Sequence, residues 1–493
     1  MESGNSDKLL EKEKALYQNQ NVRNVVKKNI SEESSEENSG TFLYITAVTA
    51  DLLIFAVGSG FSWTAPVFPI LKKTDPNENP LGRLITPIEE SWVASLYCLG
   101  AAIGPIFAGR LADKLGRKRT LIIVSFPMIV SLLILAFAQN IKIYYVTRLV
   151  MGITAGSAFN VLPMYLAEVS EVHNRGTTGC LMTVFVVLGA LMSFVIGPLL
   201  SVKVFTFACC IPVILFVIFF GLFIPESPVF LVTNGKLDKA EDALIQLRSK
   251  SHVQIKEELA EIEQSLTRHM AKQGNISILL KGKGLRKALI ISISLLLTQQ
   301  LAGINAVMAF LNSIFEAAGS GVSTYTSTVT IGAIQVIATF IAATAVEKLG
   351  RKILLLASTT GSSASIFILG LYFYLKNSRF YDVTNLSWLP LVSLLVYIVS
   401  FNLGLSCIPW TITQEIFPSN LQSIASSIAS VSCFTASFAV TLYFPIMVEM
   451  IGMAKCFWLF GFCLVVSSLF IYLVVPETKG KTVAEIQDIL NNT

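Results

Sequence analysis

Five side-chain amides and one indole stand inside apolar stretches of the second half of the chain. Gln299 and Gln300 are followed by Asn305, and Gln335, Asn402 and Trp410 come later. An amide moved into an apolar medium without a partner costs about 2–7 kcal/mol, so each of these groups must bond to something. Two uses fit. An amide donates and accepts, as a hydroxyl does, so a set of them suits a polyhydroxylated ligand such as a sugar. Trp410 would offer its flat ring to the C–H face of such a ligand. The same amides can equally join one helix to another. At about 100° per residue, Gln299, Gln300 and Asn305 spread over part of one helix face.

A second set is charged and repeated. Asp113-Lys-Leu-Gly-Arg-Lys118 returns as Glu347-Lys-Leu-Gly-Arg-Lys352, each between two long apolar runs. Glu168 precedes Arg175 by seven positions, and Glu415 precedes Gln422 by the same interval. Pro225-Glu226-Ser227 is matched by Pro476-Glu477-Thr478. Acids at the ends of apolar spans need partners, and Arg110, Arg117, Arg175 and Arg351 can supply them to Asp113, Glu168, Glu347 and Glu415. Pairs that form when two halves close on that side and break when they open would act as a gate. Plain anchoring by basic loops is the simpler alternative. Gln422 carries no charge, so the second copy of this gate is expected to be the weaker one.

The elements that must position these residues follow from the apolar runs. The chain has 493 residues, 53% hydrophobic and 14% charged. Runs of about 20 residues, each able to cross the hydrocarbon layer, recur roughly twelve times between residues 43 and 475. The reading is an all-α membrane protein of twelve transmembrane helices in two parallel six-helix repeats, 42–224 and 286–475. A polar, serine- and acid-rich tail (1–41) precedes them and is read as disordered. A helical linker (225–285) joins the halves, with Ile255, Leu259, Ile262 and Leu266 as its apolar stripe, and a short tail (476–493) ends the chain. Most bases fall in the even-numbered loops and the tails, which puts both termini in the cytosol. The net charge of +5 is thereby explained without nucleic acid. The tail does not read as a cleaved signal peptide. Parallel repeats place a binding site near mid-depth between the halves. None of the eight cysteines has metal-type or disulfide-framework spacing, and no nucleophile–base set suggests an enzyme. Of three sequons, Asn29 and Asn275 fall inside by this topology, leaving Asn385 as the glycosylation candidate.

These landmarks resemble the sugar porter family of the major facilitator superfamily. The likeness covers nearly all of 43–490. It is carried by Gly109-Arg110, Asp113 and Gly116-Arg117-Lys118; by Arg148, Pro163, Tyr165, Glu168 and Arg175; and by Pro225-Glu-Ser-Pro228. The second half adds Gln299-Gln300, Gly303 and Asn305, then Glu347, Gly350-Arg351-Lys352, Pro409-Trp410, Glu415-Ile-Phe-Pro418 and Pro476-Glu-Thr478. Gly60-Phe-Ser-Trp-Thr64-Ala-Pro66 is similar to the insect facilitated trehalose transporter branch. The resemblance implies a plasma-membrane carrier for a hexose or trehalose that works as a monomer without cofactor or metal. It turns the amides toward a sugar site and adds Thr183 and Thr64 to it. Proton-coupled relatives place an acid where Thr64 stands, so Arg148 lacks one and uniport is expected. Asp51, nearer the start of the first span, is read as a helix-end or bundle-facing polar group. A proton symporter and a non-transporting sugar receptor are the alternatives. Several positions depart from the family. Ala309-Phe310 implies a looser lid, and Leu405-Ser-Cys407 implies a stiffer tenth span.

Overall fold

The computed structural model describes residues 41–75, 78–171, 175–248, 252–270, 279–280, 282–319, 323–378, 384–479, 481 and 483–492. Within these, the side chains of Arg175, Leu266 and Glu347 lie outside the described residues. Among the described residues, twelve helices are long and apolar enough to cross a membrane. The first half holds Thr41–Leu71, Pro87–Leu115, Arg117–Ala136, Ile141–Val169, Thr177–Leu199 and Val202–Phe223. The second holds Lys283–Ala309, Thr324–Ala342, Arg351–Asn377, Leu389–Glu415, Ile424–Ile451 and Met453–Val474. They are numbered here as the first to twelfth spans. Both basic turns fall on one face, called the basic face below.

Within each half the packing repeats. The second span lies on the fourth and the third on the fourth and sixth; in the other half the ninth lies on the tenth and twelfth. The halves meet where the second span packs on the eleventh and the fifth on the eighth.

Local chemistry sets the ends. Thr86 caps the second span in a reciprocal box with Glu89, with Pro87 in the first turn. The second and third spans part at Gly116 (φ +102°), and the eighth and ninth at Gly350 (φ +89°). A Cβ on Gly116 would stand 2.2 Å from Glu226 Oε2, and one on Gly350 2.9 Å from Glu477 Oε2. Both glycines are thus required by backbone and by space. Gly116→Ala should cost at least about 2 kcal/mol, from the strained backbone and the displaced carboxylate. A melting temperature equal to that of the parent would refute this.

Two spans are not continuous. The seventh breaks after Leu301 at left-handed Gly303, resumes as Ile304–Ala309, and continues beyond Phe310 as Leu311–Ala318. The tenth breaks between Leu403 and Ile408. This corrects the expectation of a stiffer tenth span. Pro409 has no N–H for the carbonyl of Leu405, so losing the family's other prolines and glycines does not restore the helix there.

The linker forms Pro228–Thr233, Leu237–Arg248 and His252–Met270. Leu231, Val232, Ala240 and Ala243 pack with Leu259 and Ile262 between these helices. Buried Arg248 ties them to the fourth span: its Nη1 donates to Val169 O (2.5 Å), while its Nε meets Glu258 (3.0 Å) and Glu171 (3.3 Å). A cation on the last carbonyl of a helix is favoured by the helix dipole. The C-terminal segment is also a packed helix, Val483–Asn492. Asn491 Oδ1 accepts from Gly284 N (2.8 Å), and Gln487 donates to Ile416 O (2.7 Å).

Candidate functional site

The broken tenth span explains the position of Gln299. Its Nε2 donates to Leu405 O (2.9 Å) and Ser406 O (3.1 Å), the carbonyls exposed by the break. Gln300 donates to Gln299 Oε1 (3.3 Å) and to Cys433 Sγ (3.2 Å). Asn305 donates to Gln300 Oε1 (2.7 Å) and to Ser437 Oγ (2.6 Å). Ser437 donates in turn to Cys98 Sγ (3.2 Å), on the second span. The three amides therefore form one chain of hydrogen bonds that ends across the seam between the halves. Both glutamines are buried, while Asn305 is half-buried.

The other amides differ. Asn402 donates to Ile398 O (2.8 Å) in its own helix and accepts from Thr339 (3.3 Å), so it joins the tenth span to the eighth. Gln335 is half-buried, and its Oε1 is a buried acceptor with no partner among the described residues. Trp410 is half-buried beside the amide chain, packed on Leu296, Ala429 and Cys433. It also stands 6.3 Å from Phe434, in a cluster with Phe61, Phe159 and Ala101 of the other half. Thr183 is half-buried on the fifth span.

Thr64 belongs to a closure rather than to the amide chain. It donates to Ala309 O (3.3 Å) across the halves. Nearby Asn312 donates to Ala65 O (2.9 Å) and accepts from Thr328 (2.6 Å). Pro69, one turn beyond Ala65, lacks the N–H that would bond that carbonyl. Phe310 stacks on Phe68 at 5.6 Å and lies 5.8 Å from Phe444. Lys72 reaches Ser313 (3.5 Å) and pairs with Glu90 (2.9 Å), and Tyr325 donates to Val195 O (3.3 Å). At Ala309-Phe310, where a looser lid is expected, the single ring of Phe310 occupies the lid between Phe68 and Phe444. All these contacts lie on the face opposite the basic turns, so the halves are closed there.

On the basic face the charges pair within each half. Arg117 meets Glu168 (3.0 Å) and Asp113 (3.5 Å), and Ser227 Oγ donates to the second oxygen of Glu168. Arg351 meets Glu415 (2.7 Å), whose second oxygen accepts from Thr478 (2.6 Å). Glu226 caps the third span through Lys118 N (2.9 Å). Glu477 caps the ninth through the backbone N–H groups of Arg351 and Lys352, both at 3.0 Å. Arg110 is exposed at this end. Gln422 does not reach Glu415; it donates to the side chain of Gln414 (2.5 Å). Glu415 is nevertheless held on both oxygens.

Partial burial raises the Glu477 carboxyl, but the backbone donors of Lys479, Lys352, Arg351 and Thr478 outweigh it, and the net shift is downward. A depressed folded value means the cap stabilises fully above the ordinary carboxylate range and is lost as pH falls through the folded value. The melting-temperature gap between parent and Glu477→Gln should be constant near neutrality and narrow only in acid. A gap that widens on acidification would contradict the assignment.

Arg148 was known from sequence only as lacking an acid. It is 1% exposed. Its Nη1 donates to Gly60 O (2.7 Å), its Nε to Val93 O (3.1 Å), and the guanidinium lies 4.4 Å from the Tyr97 ring. Asp51 is fully buried, and neither of its oxygens has a hydrogen-bond partner among the described residues. Among the described residues no group of histidine, cysteine or acidic side chains could hold a metal. Asn385 is exposed within the short turn Thr384–Leu386 on the face opposite the basic one.

Reading sequence alone missed Asn312, Arg248 and Ser437. Pro69, four residues after Ala65, was the available signal for the first.

Solved structures place the architecture. The proton:xylose symporter XylE bound to 6-bromo-6-deoxy-D-glucose superimposes with a TM-score of 0.75 at 23% identity, covering 92% of this chain and 100% of that one. An inward-open form of XylE from E. coli gives 0.74 at 22% identity, covering 91% and 99%. The fold is that of a major facilitator membrane protein. Sequence comparison is narrower. The profile of the sugar (and other) transporter family matches residues 19–490, and the chain belongs to that family. Among its relatives, the facilitated trehalose transporter Tret1 of Culex quinquefasciatus is 35% identical over 90% of this chain and 84% of its own length. The Tret1 of Polypedilum vanderplanki is 36% identical over 90% and 87%. That of Drosophila willistoni is 35% identical over 90% of this chain, which spans about half (50%) of the Drosophila protein.

Proposed function

We propose that the protein carries a sugar, trehalose or a hexose, down its gradient across the plasma membrane by alternating access. Both termini and the basic face are then cytosolic, Asn385 is the glycosylation site, and the conformation described is closed to the outside. The observation that carries this reading is the amide chain Gln299–Gln300–Asn305, buried beside Trp410 and ending on Cys98 of the opposite half. A sugar entering from the basic face would exchange its hydroxyls for the bonds these amides make to one another. Gln335 Oε1 is a ready acceptor, and half-buried Thr183 on the fifth span is the candidate from the N-terminal half. The names of the trehalose-transporting relatives support the substrate class. The pairs Arg117–Glu168 and Arg351–Glu415 are already formed within each half here and so brace the span ends that must meet when the cytosolic side closes; Arg110, Asp113, Arg175, Glu347 and Gln422 are assigned to the same gate from the sequence.

Uniport rests on Arg148, which is satisfied by two carbonyls and a tyrosine ring rather than by a carboxylate. One observation favours a proton-coupled alternative: Asp51, a buried carboxyl with no partner. Counterflow of labelled trehalose and glucose in proteoliposomes decides. Saturable exchange, unaffected by a protonophore and retained in Asp51→Asn, is expected. Uptake that collapses with the protonophore and fails in Asp51→Asn assigns coupling, and absence of any exchange favours a receptor.

Gln422→Arg would add a cation beside Glu415 and favour the state closed at the basic face. Thiols placed in the cytosolic crevice should then react more slowly with an impermeant reagent. Equal rates in both forms refute this.

A further inference from the structure

A cavity of about 570 Å³ opens on the basic face between the first basic turn and the linker. Five cations line it: Lys114, Lys118 and Arg119 from the turn, and Lys236 and Lys239 from the linker. Its two carboxylates are Glu226 and Asp242. Glu226 is already committed to the backbone of Lys118 and Ser227. Among the described residues, none of the five cations is in an ion pair within 4 Å, whereas Arg117 beside them is paired twice. Five positive charges brought into one concavity repel each other unless an anion neutralises them.

The repeat provides an internal comparison. In the second half, Lys352 is the counterpart of Lys118. Its Nζ donates to Tyr472 O (2.9 Å) and lies over the Tyr472 ring (5.8 Å). The corresponding lysine is therefore engaged there and available only in the first half, where the linker adds Lys236 and Lys239. The anion site is thus a property of one half, not of the repeat.

The surroundings indicate the source of the anion. Leu115, Phe230 and Leu231 form an apolar part of the wall. One turn above Arg119 the third span exposes Ile123, and the sixth span exposes Leu222 and Phe223 just before Pro225. This is the lipid-facing side of the bundle, and it runs directly into the cationic cavity. We propose that the cavity holds a phosphate-bearing head group, that of an anionic membrane lipid whose acyl chains lie along the third and sixth spans. Several phosphates on one head group match several lysines, as basic pockets between helices do on the cytoplasmic side of other membrane proteins. Such a ligand would join the linker to the turn that carries Arg117.

The test uses the full-length protein in phosphatidylcholine micelles with added phosphatidylinositol bisphosphate or phosphatidylserine, read by native mass spectrometry. Retention of the phosphoinositide over phosphatidylserine is expected. The double variant Lys236→Gln/Lys239→Gln, at two exposed positions, should lower retention roughly tenfold or more. Lys256→Gln, elsewhere on the linker, should not change it. Equal retention of both lipids, or no loss in the double variant, overturns the site. Inositol trisphosphate displacing the lipid at equal concentration would show that the phosphates alone suffice, and would overturn the lipid assignment.

Discussion

Gln299→Ala is expected to reduce sugar counterflow at least about 100-fold and to destabilise the protein by about 2–5 kcal/mol. The carbonyls of Leu405 and Ser406 lose their shared donor in a buried place, and Gln300 loses an acceptor. The two effects can be separated. Pro409→Ala supplies the missing N–H one turn beyond Leu405, so in the double variant the broken helix can close on itself and much of the stability should return. If transport returns with it, Gln299 only positions the tenth span. If stability returns without transport, Gln299 meets the sugar. A single variant that melts and transports like the parent would remove Gln299 from the site.

Asn312→Ala should open the face opposite the basic turns. Ala65 O is denied its helical partner by Pro69 and takes the Asn312 amide from the other half instead. Without it the closed state retains an unpaired carbonyl, at about 1–3 kcal/mol, while the open state can hydrate it. The equilibrium should move about 5- to 150-fold toward opening on that side. Alkylation of Met308→Cys by an impermeant reagent should accelerate to match, since Met308 is buried in the closed form. Unchanged labelling would place the energy of closure elsewhere, in the Phe68–Phe310–Phe444 stack.

Both predictions concern places where a proline frees a carbonyl and a distant amide takes it. This marks the limit of what the amino-acid order discloses. The spans were legible because each is an apolar run long enough to cross a membrane, and the boundaries at Gly116 and Gly350 because the hexapeptide repeats. The pairs Arg117–Glu168 and Arg351–Glu415 could be named as members of one charged set. Their exact partners could not, because the third members, Ser227 and Thr478, are distant in sequence. Gln422 looked like a deficiency, yet Arg351 and Thr478 occupy both oxygens of Glu415 without it. Asn402 and Gln299 looked alike as intramembrane amides. Asn402 donates within its own helix and accepts from Thr339, whereas Gln299 donates across a break, and only packing distinguishes them.

Each half is fastened by its own last residues. Glu226, just past the sixth span, caps the third; Glu477, just past the twelfth, caps the ninth. Neither clasp borrows anything from the other half. The halves are in this respect separate articles of manufacture: two polypeptides, divided in the linker beyond Met270 and made in the same cell, hold everything needed to shape themselves before they meet. Their encounter would then rest on the seams between the second and eleventh and the fifth and eighth spans, with the first-to-seventh closure added to them.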